Sequence, residues 1–269
     1  MKDNLAEITP TKNYHTHLYR CKHAQGDVAD YCQAALAAGL QVLGISDHTP
    51  LPDDRWSEVR MDMRELPLYC QSIDEARQRF SELSILKGME CDYDDSYLSF
   101  YRDELLGRFK LDYLIGAIHY IPHNGEWIGV YGKATDAATL KSYSRQVIKA
   151  MESGLFAFIA HPDLFANAYL KWDTESQACS RAILEAAAAL KVPLEINGYG
   201  LRKPLIETPE GKRFMYPWER FWELAADYDI KVIINSDAHQ PADVVSKMDE
   251  AAKIALKYSL TFADLMLNN

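Results

Sequence analysis

The sequence predicts an α/β protein whose strands form one parallel, barrel-like sheet. Two observations support this prediction: short apolar runs alternate with longer helix-forming segments, and polar clusters rich in histidine follow almost every apolar run. Such alternation is typical of βαβ units, in which a helix connects two parallel strands. The chain has 269 residues and is 48% hydrophobic, which suits one large domain. We therefore expect a single domain spanning residues 1–269.

Seven apolar runs are predicted to be strands. They are residues 12–18, 40–47, 83–91, 111–120, 155–161, 192–197 and 231–237. About seven strands is close to the eight of a (β/α) barrel, while an open doubly wound sheet is the alternative. A barrel is favoured because polar clusters follow nearly every strand, and only closure of the sheet brings the first and last clusters together.

Five segments between these strands are predicted to be helices. They are residues 27–38, 68–83, 139–153, 176–190 and 218–228. Asp27 can cap the first helix and Gly39 can end it, Gly154 follows the third, and Pro217 precedes the fifth. Four less regular stretches follow strand ends, so a barrel would place them around the pocket. They are residues 49–67, 92–103, 122–136 and 198–216.

Composition disfavours several classes of protein. No apolar run reaches the ~18 residues of a membrane span, and the segment after Met1 lacks the apolar stretch of a signal peptide. Five cysteines without a CxxC spacing predict a reducing compartment, so we expect a cytoplasmic protein. The net charge of −10 disfavours a nucleic-acid partner, although it says little about small phosphates. Oligomeric state stays open.

The polar clusters point to metal binding. Because the carboxyl ends of parallel strands meet on one face, we expect the side chains there to converge. The candidate ligands are His15, His17, His23, His48, Glu90, His119, His161, Asp237 and His239. Mixed imidazole and carboxylate groups are ligands that zinc, iron and manganese all accept.

Spacing strengthens the metal hypothesis at both ends of the chain. His15 and His17 are two residues apart on an extended segment, so both imidazoles project to one face, and Asp237 and His239 repeat this spacing.

Each cluster alone has an ordinary explanation. A single strand-end histidine often bonds a loop carbonyl, Asp47 could cap a turn, and Glu90 could form a common salt bridge. Six such clusters follow the predicted strands, and their coincidence makes those explanations improbable together. They are residues 15–17, 46–48, 88–90, 118–119, 160–163 and 236–239. By contrast, His123 lies among loop-forming residues and is expected to be a solvated surface histidine.

Four segments resemble the motifs of the PHP (polymerase and histidinol phosphatase) superfamily. They are residues 15–26, 46–48, 160–162 and 236–239, which occur in the order of the family motifs and span most of the chain. Within the superfamily, the sequence is most similar to the histidinol-phosphatases, through residues 21–24, 47–52, 56–61 and 197–203. These additional stretches are less specific than the four motifs.

The resemblance implies a distorted TIM-like (β/α)7 barrel with three divalent metal ions, of zinc, iron or manganese. It implies that the first ion is bound by His15, His17 and Asp237, that Glu90 bridges the first and second, that His119 and His161 complete the second, and that His23, His48 and His239 hold the third. The implied reaction is hydrolysis of L-histidinol phosphate, in histidine biosynthesis, by a hydroxide that bridges two metals. The alternative is a PHP phosphoesterase acting on another small phosphate monoester or a nucleotide.

Four further residues receive expected roles. Glu90 and Asp237 are expected to be catalytic as metal ligands. Asp47 is expected either to orient an imidazole by a hydrogen bond or to transfer a proton. Arg202 follows a strand in a glycine-rich turn, and a guanidinium binds phosphate through paired charge-assisted hydrogen bonds. We therefore expect Arg202 to contact the substrate phosphate, with Arg60 and Lys171 as the alternatives.

Overall fold

The computed structural model describes residues 10–133 and 135–265, and a curled parallel sheet lies at its centre. The strands are β1 Lys12–Asn13, β2 Val42–Ile45, β3 Ser84–Asp92, β4 Tyr113–Ala117, β5 Tyr120–His123, β6 Glu126–Gly129, β7 Phe158–Ile159, β8 Leu194–Asn197, β9 Ile206–Thr208, β10 Gly211–Arg213, β11 Lys231–Asn235 and β12 Thr261–Phe262. Eight of them form the sheet, in the order β1-β2-β3-β4-β7-β8-β11-β12. Every neighbouring pair in this sheet is parallel.

The sheet closes where β1 and β11 run on toward their carboxyl ends. Thr16 and Ala238 form a parallel bridge, and the backbone N–H of His17 donates to the carbonyl of Ala238 at 2.8 Å. At the opposite end β12 flanks β11, and Lys12 pairs with Asp264 at 2.8 Å. The predicted distorted TIM-like (β/α)7 barrel is thus confirmed, and the eighth strand is a short addition at its amino end.

The helices lie outside the sheet, as the predicted βαβ pattern requires. They are α1 Val28–Ala37, α2 Leu66–Arg79, α3 Ala137–Glu152, α4 Thr174–Leu190, α5 Gly198–Arg202, α6 Glu219–Ala225 and α7 Met248–Lys257. Local sequence explains the starts of three of them: Asp27, Asp136 and Asp173 each form a capping box with the third residue of the helix. All five predicted helices are present, but α2 begins earlier than expected, at Leu66, and ends at Arg79.

Several ordered elements replace stretches expected to be irregular. β5 pairs with β6 and β9 with β10 as antiparallel hairpins, and Phe100–Arg108 forms a π-helix. In the first hairpin Asn124 and Gly125 adopt positive φ values of 51° and 84°. An Asn-Gly pair between strands is typical of a type I′ turn, so the sequence did carry this signal.

A compact aromatic packing fills the barrel below the strand ends. Tyr113 is buried, and its hydroxyl donates to the carbonyl of Tyr14 at 2.5 Å. Glycines on two neighbouring strands make room for it, since a Cβ would lie 2.1 Å from the Tyr113 hydroxyl at Gly44 and 2.4 Å from its ring at Gly88. The barrel interior is therefore filled by packed side chains, and the polar residues lie beyond them, at the carboxyl ends of the strands.

Two further features bear on the expectations from composition. Within residues 10–133 and 135–265, none of the helices combines the length and apolar character that crossing a membrane requires. All five cysteines are buried and unpaired.

Candidate metal centre

Glu90 is the point on which the predicted site converges. It lies near the carboxyl end of β3, is 1% exposed, and its two oxygens face five histidines. From Oε1 the distances are 3.4 Å to His15 Nε2, 3.6 Å to His119 Nε2 and 3.0 Å to His161 Nε2, and from Oε2 they are 3.6 Å to His17 Nε2 and 2.9 Å to His48 Nδ1. One carboxylate thus collects imidazoles that follow four different strands of the barrel.

Asp237, after β11, forms a second focus beside Glu90. Its Oδ1 lies 3.0 Å from Nε2 of His17, 3.7 Å from Nε2 of His15 and 3.4 Å from Nδ1 of His239. The Nε2 atoms of His15 and His17 are themselves 3.1 Å apart. Ligand atoms of His15, His17 and Asp237 all lie within 4.8 Å of one another, which is the spacing of groups around one ion.

A third group of histidines lies on the far side of His17. Ring centroids are 4.3 Å apart for His17 and His48 and also for His17 and His239, while His23 is 5.2 Å from His48 and 5.0 Å from His239. His23 lies at the exposed rim, and its Nδ1 is 2.8 Å from the carbonyl of Cys21. That bond makes Nδ1 the donor, so Nε2 keeps a lone pair. His17 is therefore closer to His48 and His239 than the expected third ligand, His23, is.

The backbone is strained at two of these residues. His161 and Asp237 have φ values of 30° and 50°, in the left-handed region that non-glycine residues rarely adopt. Such conformations cost roughly 1–3 kcal/mol each and persist only where surrounding contacts hold them. The strain therefore coincides with the predicted ligands.

Electrostatics favour the charged forms of Glu90 and Asp237 and the neutral form of His239. Burial acts to raise the pKa of Glu90, but His119, His15 and His48 outweigh it and hold that pKa well below its usual range. Asp237 likewise has a pKa well below its usual range, since His15 and His17 outweigh its burial. Burial, reinforced by His17, lowers the pKa of His239 to about 3.

Several buried polar atoms without partners lie in this centre. Among the described residues, Glu90 Oε2, Asp237 Oδ1 and His48 Nδ1 are buried and lack a hydrogen bond of normal geometry. Since buried polar atoms are normally paired, these three indicate a missing charged partner. Imidazole nitrogens with two ionised carboxylates fit divalent zinc, iron or manganese.

Three buried carboxylates lie behind the histidines. Asp92 is 3.2 Å from Nδ1 of His119, and Glu195 is 2.8 Å from Nδ1 of His15. Asp47 lies 3.4 Å from Nδ1 of His17 and accepts the backbone N–H of His48 at 2.9 Å. The position of Asp47 suits support of an imidazole, and it is not among the residues that line the pocket, where a proton donor would act.

Neither Asp92 nor Glu195 is among the residues predicted from the sequence to form the centre. Glu195 did carry a signal: polar residues 195 and 197 alternate with apolar ones in a buried strand, which indicates side chains facing the barrel interior.

Eight of the nine candidate ligands, all except His15, line a pocket of about 340 Å³. Two cations outside the ligand set, Arg60 and Lys203, also line it. Arg60 is buried, forms an ion pair with Asp92 and donates to the carbonyl of Thr49 at 3.2 Å. Lys203, which the sequence analysis did not single out, has its Nζ 4.0 Å from the centroid of the Tyr199 ring.

The structure places the other expected phosphate-binding residues elsewhere. Arg202 donates to the carbonyls of Ser236 at 2.8 Å, Ser246 at 3.2 Å and Asp237 at 2.9 Å, and it does not line the pocket. Three of its five N–H groups therefore bind carbonyls of the segment after β11, and contact between Arg202 and a phosphate stays a prediction. Lys171 is exposed and also lies outside the pocket lining, while His123 is partly exposed on the β5–β6 hairpin.

The chain is similar in sequence to several known proteins. The profile of the PHP domain matches residues 13–198. A probable histidinol-phosphatase of Deinococcus radiodurans is 33% identical over 246 residues, which are 89% of this chain and 90% of that protein. A probable phosphatase of Shewanella amazonensis is 28% identical, over 86% of this chain and 77% of that protein.

Two solved structures share the fold. Histidinol phosphate phosphatase from Lactococcus lactis, complexed with zinc, L-histidinol and phosphate, has a TM-score of 0.72 at 17% identity and covers 94% of this chain and 97% of its own. A putative histidinol phosphatase from Listeria monocytogenes has a TM-score of 0.70 at 21% identity, and the match covers 87% of this chain and 97% of that one.

Proposed function

Because the chain belongs to the PHP domain family, we propose that it is a histidinol-phosphatase, which hydrolyses L-histidinol phosphate to L-histidinol and phosphate in histidine biosynthesis. The PHP domain match confirms the predicted family, and similarity to the Deinococcus radiodurans protein confirms the predicted enzyme class, a phosphatase. The observation that carries the proposal is the convergence on Glu90, whose oxygens lie 2.9–3.6 Å from five histidines. The substrate is proposed by similarity to the Deinococcus radiodurans relative.

The proposal includes three divalent ions held by nine side chains. They are His15, His17 and Asp237 for the first ion, Glu90 as a bridge to the second, His119 and His161 for the second, and His23, His48 and His239 for the third. When bound, such ions supply Lewis acidity to the phosphoryl oxygens and lower the pKa of a coordinated water toward ~7. Only Glu90 and Asp237 among these ligands carry negative charge, so the loaded pocket is cationic and attracts a phosphate dianion.

Lys203 is our proposed protein contact for the phosphate. The guanidinium of Arg60 is neutralised by Asp92, whereas the ammonium of Lys203 stands over the face of Tyr199, which in turn stacks on His239 at 4.5 Å. This stacking keeps the lysine beside the proposed third ion. A phosphate oxygen bound beside that ion would contact the ammonium of Lys203 without breaking an ion pair with a carboxylate.

An alternative substrate is favoured by one feature of the pocket wall. The only acidic residues among those lining the pocket are Glu90 and Asp237, and both are proposed metal ligands. The ammonium of histidinol therefore finds no additional carboxylate among these described residues. This observation favours, as second candidate, a PHP phosphoesterase acting on another small phosphate monoester or a nucleotide.

A substrate panel separates the two candidates. The purified protein is assayed for phosphate release from L-histidinol phosphate, other small phosphate monoesters, nucleotides and a phosphodiester. We expect the highest kcat/KM on L-histidinol phosphate. A higher kcat/KM on another monoester or on a nucleotide would move the assignment to the second candidate.

A further inference from the structure

Glu195, on β8, is a buried carboxylate that four donors hold from different parts of the barrel. Its side chain is 0% exposed. Oε1 lies 2.8 Å from Nδ1 of His15 and accepts from Nδ2 of Asn235 at 2.9 Å. Oε2 accepts from the backbone N–H of His161 at 3.1 Å and from Nδ2 of Asn197 at 2.8 Å. Glu195 therefore contacts two proposed metal ligands without lining the pocket itself.

We propose that Glu195 is a positioning residue that sets the tautomer and orientation of His15, an inference that rests on the proposed metal centre. Since a carboxylate can only accept, the bond to Nδ1 requires a proton on Nδ1, and Nε2 keeps its lone pair. That Nε2 faces Oε1 of Glu90 at 3.4 Å and Oδ1 of Asp237 at 3.7 Å. The imidazole thus presents a ligand atom to the position where the first ion would lie.

The same carboxylate reaches a second ligand of that ion through Asn197. Nδ2 of Asn197 donates to Oε2 of Glu195 and also to Oδ2 of Asp237, at 3.0 Å. The amide cannot turn round, because its Oδ1 accepts the backbone N–H groups of Tyr199 and Gly200. With Oδ2 occupied, Oδ1 of Asp237 is the oxygen left without a partner, 3.0 Å from Nε2 of His17.

Glu195 also supports the strained backbone of His161. Its bond to the backbone N–H fixes the peptide that leads into a residue with φ of 30°. A strained conformation needs such contacts to persist. One side chain therefore aligns ligands that follow β1, β7 and β11.

Both the charge and the shape of the Glu195 side chain are required for it to accept its four hydrogen bonds. Each oxygen accepts two hydrogen bonds, so all four partners are donors. Glutamine has nearly the same shape, but its amide nitrogen would face two donors in either orientation. Glu195→Gln therefore disturbs either the pair on Oε1, which includes His15, or the pair on Oε2, which includes His161.

The experiment measures metal binding, so an error in the proposed substrate leaves it valid. Enzyme purified in zinc is challenged with a chromogenic chelator, and the amount and rate of zinc release are recorded for wild type and Glu195→Gln. Loss of a partner that orients a metal ligand commonly costs 10–100-fold in affinity. We expect at least one equivalent of zinc to bind about tenfold or more weakly in Glu195→Gln. Zinc affinities within about twofold of wild type for all sites would overturn the proposal.

A matched control and a second measurement separate positioning from general stability. Asp163→Asn makes the same chemical change at a fully buried carboxylate whose side chain accepts from Trp218 and Trp222, and it should keep its zinc. If Glu195→Gln fails to fold, ¹⁵N NMR of the zinc-loaded wild type decides, with the His15 signals assigned by their loss in His15→Asn. We expect a proton on Nδ1 of His15. A proton on Nε2 would overturn the proposal without any Glu195 variant.

Discussion

Oε1 of Glu90 lies 3.0 Å from Nε2 of His161, although 71 residues separate them in the chain. Both side chains are buried, and the same oxygen is 3.4 Å from Nε2 of His15. Glu90 is therefore shared between imidazoles from different strands. A carboxylate shared in this way is suited to bridge two cations. A bridging role is the simplest explanation for so many imidazoles around one carboxylate.

Replacing Glu90 by glutamine tests this bridging role. Glu90→Gln keeps the shape but removes a charge that the low pKa of Glu90 maintains at working pH. We expect kcat to fall by more than the ~10²–10³-fold typical of one electrostatic group, because two ions lose a ligand together. Steady-state kinetics and metal content are measured beside Glu185→Gln, an exposed control on α4. Normal turnover and metal content in Glu90→Gln would reassign Glu90 to an ordinary ion pair.

His23 tests whether the centre holds a third ion. His23→Asn should lower the metal content by about one equivalent and reduce kcat by at least about tenfold, since loss of even a residue that supports a metal ligand commonly costs about 10–100-fold. His123→Asn, on the β5–β6 hairpin, is the matched control and should retain both properties. Full metal content in His23→Asn would indicate that His17, the nearer neighbour of His48 and His239, replaces it.

Lys203 tests the proposed contact with phosphate. Lys203→Met keeps the length of the side chain but removes its charge, so we expect kcat/KM on the preferred substrate to fall at least about tenfold, or ~1.4 kcal/mol. Lys171→Met, at an exposed site outside the pocket, should behave as wild type. Metal content should be unchanged in both. A normal KM and kcat in Lys203→Met would exclude this lysine and leave Arg60 to be tested.

Asp163 predicts a pH dependence of stability. It is fully buried, and burial raises its pKa to about 6, even though Trp218 and Trp222 donate to its Oδ2. The unfolded chain has a value of about 3.9, so the folded state binds the proton more tightly. The stability from this group is present below about pH 4 and is lost as pH rises through 6, by up to about 3 kcal/mol.

Denaturant unfolding of wild type and Asp163→Asn between pH 4 and 7.5 measures this contribution. The wild-type free energy of unfolding should decline relative to that of the variant as pH rises. A difference between the two proteins that is constant across this range would contradict the raised pKa.

Most of the fold could be predicted from the sequence because the candidate ligands follow the predicted strands. Seven apolar runs alternating with helices predict the barrel, and closure at Thr16 and Ala238 brings the first and last clusters together as expected. Strand lengths were less predictable: β7 is only two residues long, although residues 155–161 are uniformly apolar up to the histidine. Hydrogen bonding between neighbours decides such limits, and it is not visible in a single segment.

Residues around the ligands were harder to predict because side-chain direction depends on tertiary structure. Arg202 and Lys203 are adjacent, yet the first is directed to carbonyls after β11 and the second lines the pocket. Glu195 lies within an apolar strand, and no sequence pattern indicates which residues a single carboxylate there will contact. The register of β8 and β11 brings Glu195 beside Asn235, which donates to it at 2.9 Å.

Metal stoichiometry is the decisive measurement for the proposed metal centre. Protein purified without chelator is analysed for zinc, iron and manganese, and its phosphatase activity is measured on the same sample before and after removal of metal. We expect more than one equivalent of divalent metal per chain, approaching three, with activity lost on removal and restored on return of metal. Full activity in protein that contains essentially no divalent metal would contradict it.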